Sequence, residues 1–167
     1  MFKALANRKI TDVYDRLEIL KKQGKKEEYA WNECAVDLCR ASRAYCRNFI
    51  AHIFVQYVNQ IQEPTLRHLL EEILKLFLNF EITECSADLI EIGYMNGQKL
   101  VKVRNELNEV MKSIRVDAIS IIDAFDFSDR ELDSILGKRD GHVYESLLEW
   151  AQKSPLNEYD VAFLLNC

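Results

Sequence analysis

The stretch Glu27–Ile61, EEYAWNECAVDLCRASRAYCRNFIAHIFVQYVNQI, contains neither glycine nor proline. Apolar residues continue along it through Val36, Leu38, Phe49, Ile50, Ile53, Phe54, Tyr57, Val58 and Ile61. An unbroken run of this length predicts one long helix and points to an all-α fold. The punctuation elsewhere agrees: Gly24, Gly93, Gly97, Gly137, Gly141, Pro64 and Pro155 all fall between apolar-periodic stretches or at their ends. Upstream, Ile10, Val13, Tyr14, Leu17 and Leu20 share one helical face, which predicts a first helix over about 6–22 that Gly24 ends. Downstream, Pro64 suits the first turn of the next helix, where its missing N–H costs nothing. Leu66, Leu69, Leu70, Ile73, Leu74 and Phe77 make that helix apolar enough to be central. A shorter helix is expected over 83–92, closed by Gly93. A long one follows from about Gln98 to Ala124 through Leu100, Val103, Leu107, Val110, Met111 and Ile114.

Ser128, followed three residues later by Glu131, has the spacing of a capping box, so a short helix is expected from there to Leu136, ended by Gly137. Asp140 is placed to cap a helix around Val143–Gln152, and Ser154-Pro155 breaks that helix before a last segment beginning near Asn157. No strand pair, internal repeat, low-complexity tract or linker is visible. The expectation is a single helical domain over 1–167, built as an antiparallel helical bundle.

Composition removes several functions. The 167 residues carry 22 Lys and Arg against 27 Asp and Glu, a net charge of -5 that offers no basic footprint for nucleic acid. No run approaches the ~20 apolar residues of a membrane span and no secretory leader is visible, so a soluble protein without a membrane partner is expected. Cys34, Cys39, Cys46, Cys85 and Cys167 are odd in number and lack a C-x-x-C pair, which fits reduced, mostly buried thiols better than a disulfide framework or a zinc site. His52, His68 and His142 are far apart, and none completes the Glu-x-x-His of a di-iron bundle. His52 and His68 read as helix-surface or core-edge residues, and no metal is expected.

No motif shows a catalytic centre. Cys39 and Cys46 lie on nearly the same helical face, but a cysteine nucleophile needs a base and an electropositive pocket that the sequence does not place beside them. A nucleophile elbow, a Walker loop and a dinucleotide fingerprint are all missing. Asp123, Asp126, Asp129 and Asp133 lack the order of a calcium loop and read as caps and solvated faces. Glu71 and Lys75 read as an i,i+4 surface pair. Trp31, Phe125, Phe127, Tyr144 and Trp150 read as core or interface residues, some of them facing another domain.

Three clustered stretches carry a resemblance. They are Ser113-Ile114-Arg115-Val116-Asp117-Ala118, Ile122-Asp123-Ala124-Phe125-Asp126-Phe127, and Leu136-Gly137-Lys138-Arg139-Asp140-Gly141-His142-Val143-Tyr144-Glu145. Glu149-Trp150-Ala151 and Ser154-Pro155-Leu156-Asn157 continue the pattern, and Ala30-Trp31-Asn32 and Val36-Asp37-Leu38-Cys39-Arg40-Ala41-Ser42 extend it upstream. Together they resemble the C-terminal helical domain of peroxisomal acyl-CoA oxidases, most strongly over residues 30–157. His142 stands where many members carry asparagine.

The resemblance implies part of a flavoenzyme that uses FAD to remove two hydrogens across the Cα–Cβ bond of a fatty acyl-CoA, reducing oxygen to hydrogen peroxide, in peroxisomal β-oxidation. In that family the catalytic carboxylate and the main flavin and CoA contacts lie in earlier domains. No catalytic residue, cofactor-binding residue or metal ligand is therefore assigned here, and the chain alone is expected to be inactive and to hold no FAD. The implied partners are the upstream oxidase domains and a second subunit of a homodimer. Asp123, Phe125, Asp126, Arg139, Asp140, Gly141 and Tyr144 are the candidates for interface or structural contacts, with Arg139 and Tyr144 the ligand-side candidates. Location in the peroxisome follows from the family. The terminus Leu165-Asn166-Cys167 is not of the Ser-Lys-Leu type and leaves the cytoplasm as the alternative. The rival reading is a stand-alone helical interaction module derived from the same domain without its flavin chemistry.

Overall fold

The structure is a computed structural model that describes residues 1–138 and 140–157. Among these residues there is no strand. The helices are α1 (Phe2–Lys22), α2 (Glu27–Glu33), α3 (Ala35–Gln60), α4 (Pro64–Glu84), α5 (Ser86–Glu91), α6 (Gly97–Ile114), α7 (Ala118–Asp123), α8 (Asp129–Leu132) and α9 (Val143–Lys153). Single 3-10 turns lie at Ile135–Gly137 and Pro155–Asn157. The all-α bundle expected from the glycine and proline spacing is therefore present. Packing divides the chain into two compact units, Met1–Val116 and a second beginning at Asp117. The sequence reading draws no boundary there.

The first unit is organised by the seam between α1 and α3. On α3 the buried positions are Ala41, Ala44, Ala51 and Val58, and on α1 they are Phe2, Leu5, Ala6, Val13 and Leu17. Alanine at three of the four α3 positions lets the α1 backbone approach closely, and the larger α1 side chains fill the groove. Two buried clusters result. One joins Phe2, Leu5 and Ala6 to Ala44, Ala51, Cys85, Leu89 and Met95, while the other joins Val13 and Leu17 to Ala30, Cys34 and Ala41. Across the bundle, α4 packs along α6 and against α3. The Arg47 guanidinium on α3 donates to the Glu81 carboxylate on α4, with both side chains less than one-fifth exposed. Lys9 on α1 reaches Asp88 on α5 at 2.8 Å.

Several boundaries differ from the sequence reading. The run Glu27–Ile61 is two helices, not one, broken at Cys34. The Cys34 N–H is shared between the carbonyls of Ala30 and Trp31, each at 3.2 Å, and its ψ of 4° turns the chain, which is a tightened turn with no glycine to announce it. The helix expected from Gln98 to Ala124 ends at Ile114 and resumes as α7 after the turn Arg115–Asp117. The helix expected up to Leu136 stops at Leu132, because Asp133 takes a left-handed conformation with φ of 41°. The first helix begins at Phe2, four residues earlier than expected, and the helix expected over 83–92 narrows to α5. α4 is not central: Asn79 is its one buried residue, and Leu66 and Phe80 face solvent. Only α3 and α6 cover it substantially, so most of its apolar face stays half-buried.

The thiols also divide differently from expectation. Cys34 and Cys85 are buried, Cys39 and Cys46 are exposed on α3, and Cys167 lies outside the described residues. Lys75 pairs with Glu72 at 2.6 Å rather than with Glu71, which pairs with Arg67 at 2.9 Å. His52 and His68 are exposed, as read from the sequence, and so is His142.

Pro64 occupies the first turn of α4, as expected, and Glu63 before it caps the helix. The Glu63 carboxylate accepts the N–H of Leu66 and, at 2.9 Å, the N–H of Thr65. These bonds to the charged form hold its carboxyl below the usual glutamate value. A depressed folded-state pKa contributes stability above the unfolded-state pKa, about 4.3, and that contribution is lost as the pH falls through the folded-state value. A carbon-detected NMR titration should therefore place the Glu63 midpoint below that of Glu in an unstructured peptide, with the α4 N-terminus loosening on the acid side. A midpoint at or above the peptide value would show that the cap is not formed.

Leu89 is fully buried in the first cluster. Leu89→Ala should lower the unfolding free energy by about 2–5 kcal/mol, whereas Tyr57→Ala, at an exposed position, should change it by no more than about 0.5 kcal/mol. Urea denaturation followed by circular dichroism measures both, and equal effects would show that this cluster is not the core.

Candidate functional site

The candidate residues lie in two turns of the second unit. α7 ends at Asp123, and the chain closes behind it through two bonds: the Phe125 N–H to the Ile122 carbonyl at 3.1 Å and the Asp126 N–H to the Asp123 carbonyl at 3.0 Å. Asp126 itself sits at φ of 53°, a left-handed conformation that aspartate tolerates better than a bulky residue does. This turn places Phe125 against Phe127, with ring centroids 6.3 Å apart and planes within 10°, and both rings remain exposed. The capping box read at Ser128 then starts α8, with the Glu131 carboxylate accepting the Ser128 N–H at 2.9 Å. That bond and one from the Ser128 hydroxyl hold the Glu131 carboxyl below its usual value.

The second turn leads into α9. Asp140 does not cap that helix: its Oδ1 accepts the His142 N–H at 2.9 Å, and His142 at the N-cap makes no side-chain cap bond. Asp140 closes a local turn instead, and the Val143 N–H donates to the Gly141 carbonyl at 2.9 Å. Gly141 carries φ of +71°, a conformation costly for any residue with a Cβ, which gives this glycine a backbone reason. Tyr144 follows in the first turn of α9 and is 84% exposed. Ser146, one of the few buried residues of this unit, accepts from Lys138 Nζ at 3.3 Å, tying the 3-10 turn to α9. Arg139 lies outside the described residues.

The aromatics read as core or interface all turn out exposed: Trp31, Phe125, Phe127, Tyr144 and Trp150. In the second unit the exposed aromatics are joined by aliphatic side chains that the sequence reading does not single out. Leu147 and Leu148 on α9 and Ile119 and Ile122 on α7 also face solvent. The signal was available, because 144, 147, 148 and 151 form an i, i+3, i+4, i+7 set.

Chemistry has little purchase on the described residues. Among them, no group of three His, Cys, Asp or Glu side chains is arranged to hold a metal ion. Every buried side-chain nitrogen or oxygen has a hydrogen-bond partner, so none is held in reserve for a ligand. The groove along α6 lined by Asn105, Asn108, Lys112 and Arg115 is made of one helix's own turns, and Lys112 is already paired with Glu109 at 2.7 Å. Burial raises the pKa of the Cys85 thiol, which keeps it protonated and unreactive. The arrangement is suited to making contact with another surface, with turns fixed by their own hydrogen bonds and apolar side chains left facing outward.

Comparison with known proteins agrees with this geometry. The family model described as acyl-CoA oxidase matches residues 1–163. Acyl-coenzyme A oxidase acox-1.1 of Caenorhabditis elegans is 41% identical over 160 residues, which is 96% of this chain and 24% of that relative. Peroxisomal acyl-coenzyme A oxidase 1 of Bos taurus is 39% identical over 137 residues, covering 82% of this chain and 21% of the relative. Among solved structures, Acyl-CoA oxidase-1 of Caenorhabditis elegans complexed with FAD and ATP superposes with a TM-score of 0.76 at 41% identity, over 96% of this chain and 24% of that one. The chain thus spans about a quarter of the length of the relatives it matches. With a match over nearly its whole length and a bundle that superposes on solved members, the chain belongs to the acyl-CoA oxidase family.

Proposed function

We propose that this chain is the C-terminal α-domain of an FAD-dependent acyl-CoA oxidase, which converts a fatty acyl-CoA and oxygen to a 2-enoyl-CoA and hydrogen peroxide in peroxisomal β-oxidation. Its part is to pack on the catalytic body and to support the homodimer. One observation carries the reading: the family match covers residues 1–163, yet the chain accounts for only about a quarter of each relative. The exposed apolar side chains of α7 and α9 give it a physical basis, since a surface of this kind is covered in a working assembly. The peroxisomal setting is supported by relatives named as peroxisomal oxidases.

The flavin site and the catalytic carboxylate are assigned to the body. Among the described residues every buried side-chain polar atom already has a hydrogen-bond partner, which supports that division. In this reading Phe125, Asp126, Asp140 and Gly141 shape the two turns that present the contact surface. Tyr144 is the exposed contact residue and Asp123 ends α7 beside the first turn, while Arg139, outside the described residues, is kept as a ligand-side candidate on the family resemblance alone.

The test replaces the matching quarter of the Caenorhabditis elegans oxidase acox-1.1 with this chain. The graft should retain bound flavin and form peroxide from a fatty acyl-CoA, while the 167-residue chain mixed with FAD should show neither a bound-flavin spectrum nor turnover. Tight flavin binding by the chain alone would refute the assignment, as would a folded, dimeric graft that makes no peroxide.

A further inference from the structure

Taken by themselves, the described residues of the second unit form little core. Between Asp117 and Asn157 the buried described residues are Ile135 and Ser146, and one of those is polar. Its helices have six, four and eleven residues, all shorter than the roughly 12–15 at which an isolated helix becomes even marginal in water. Local caps and turns shape such a segment but cannot offset the entropy of ordering it. α9 is nonetheless strongly two-sided. Its inner side carries Val143 and Ser146, while Tyr144, Leu147, Leu148 and Ala151 form an apolar stripe at i, i+3, i+4, i+7 that faces outward. That is the spacing with which an amphipathic helix enters a groove.

Charge narrows what the groove can be. Residues 117–167 hold eleven Asp and Glu against four Lys and Arg, whereas residues 1–116 hold sixteen against eighteen. The acidic balance of the chain is thus concentrated in this unit, with Glu145 and Glu149 flanking the stripe. Two copies meeting through the same face would set like charges against each other, which disfavours a symmetric self-contact. About three-quarters of the length of the relatives lies outside the matched region, and that is ample protein to supply a different surface.

We infer that α9 is a docking helix, ordered when its Tyr144–Leu147–Leu148–Ala151 stripe enters an apolar groove rimmed by Lys and Arg on the oxidase body. This inference rests on the domain assignment above and adds to it the face used, the chemistry of the receiving surface and the coupling of folding to docking. Free, the second unit is an acidic segment whose described residues, through Asn157, bury little. Docked, it completes its core with side chains from the body.

Hydrogen–deuterium exchange with peptide resolution tests this on the 167-residue chain and on the acox-1.1 graft. In the free chain, amides of α9 should exchange at nearly unprotected rates while those of α1 and α3 stay protected. In the graft, α9 protection should rise on the order of 100-fold. In that graft Leu148→Asp should abolish the rise and Glu145→Lys should reduce it, with α1 and α3 unchanged in both. Strong α9 protection in the dilute free chain overturns the inference. Protection that grows with chain concentration also overturns it, in favour of a second copy. An unprotected α9 in a graft that binds flavin and makes peroxide overturns the docking helix and leaves the domain assignment standing. A protected α9 in a graft without flavin or turnover supports docking and removes the assigned function. An unprotected α9 in such a graft removes both.

Discussion

α1 can lie close along α3 because the α3 face turned toward the core carries Ala41, Ala44 and Ala51. Everything else in the first unit is arranged around that seam. Small residues bring the two backbones together, so the Phe2, Leu5, Val13 and Leu17 side chains interdigitate over the full length of the contact and gain dispersion with many partners. α5 and the Met95 segment close one end of the seam, and α2 closes the other through Ala30 and Cys34. A larger residue at Ala44 would push α1 outward and open both clusters at once.

The same accounting of apolar surface shows which faces of the chain its own helices leave uncovered. α3 has a second, outward side with Val36, Tyr45, Phe49, Ile50 and Tyr57 exposed, and the second unit leaves Ile119, Phe125, Tyr144 and Leu148 in solvent. Isolated exposed apolar residues are ordinary, but a set aligned along one helix face, as Tyr144, Leu147, Leu148 and Ala151 are on α9, has the pattern of a contact surface. Membership of the acyl-CoA oxidase family, with about a quarter of the relatives' length present, gives those faces a ready explanation.

Much of the architecture was legible because helix punctuation is local. Gly24, Pro64, Ser128 with Glu131, and Ser154-Pro155 all act through their own backbone geometry, and the structure places a helix boundary at each of them. The features that escaped depend on contacts remote in sequence. Cys34 does not break helices by itself. It ends α2 where the chain turns to bury Ala30 and Cys34 against α1. The apolar pattern of α4 correctly announced a helix, but pattern alone does not say how many neighbours will cover it, and α4 received too few to be central. The same ambiguity hid the outward stripe of α9, because Tyr144 and Trp150 drew attention while Leu147 and Leu148 went unread. At the turns, the residue types Asp126 and Gly141 were noticed for resemblance, and the structure supplies their physical reason in left-handed backbone.

The ion pair between Arg47 and Glu81 sets the axial position of α4 on α3. An apolar face is nearly degenerate along a helix, since a slide of one turn exchanges one leucine for another and costs little. A charge pair held away from water has no such equivalent position, because displacing it by a turn strands two ions in a poorly solvated seam. The pair therefore works as an indexing pin, selecting one register from several of similar hydrophobic energy and fixing where the ends of α4 fall.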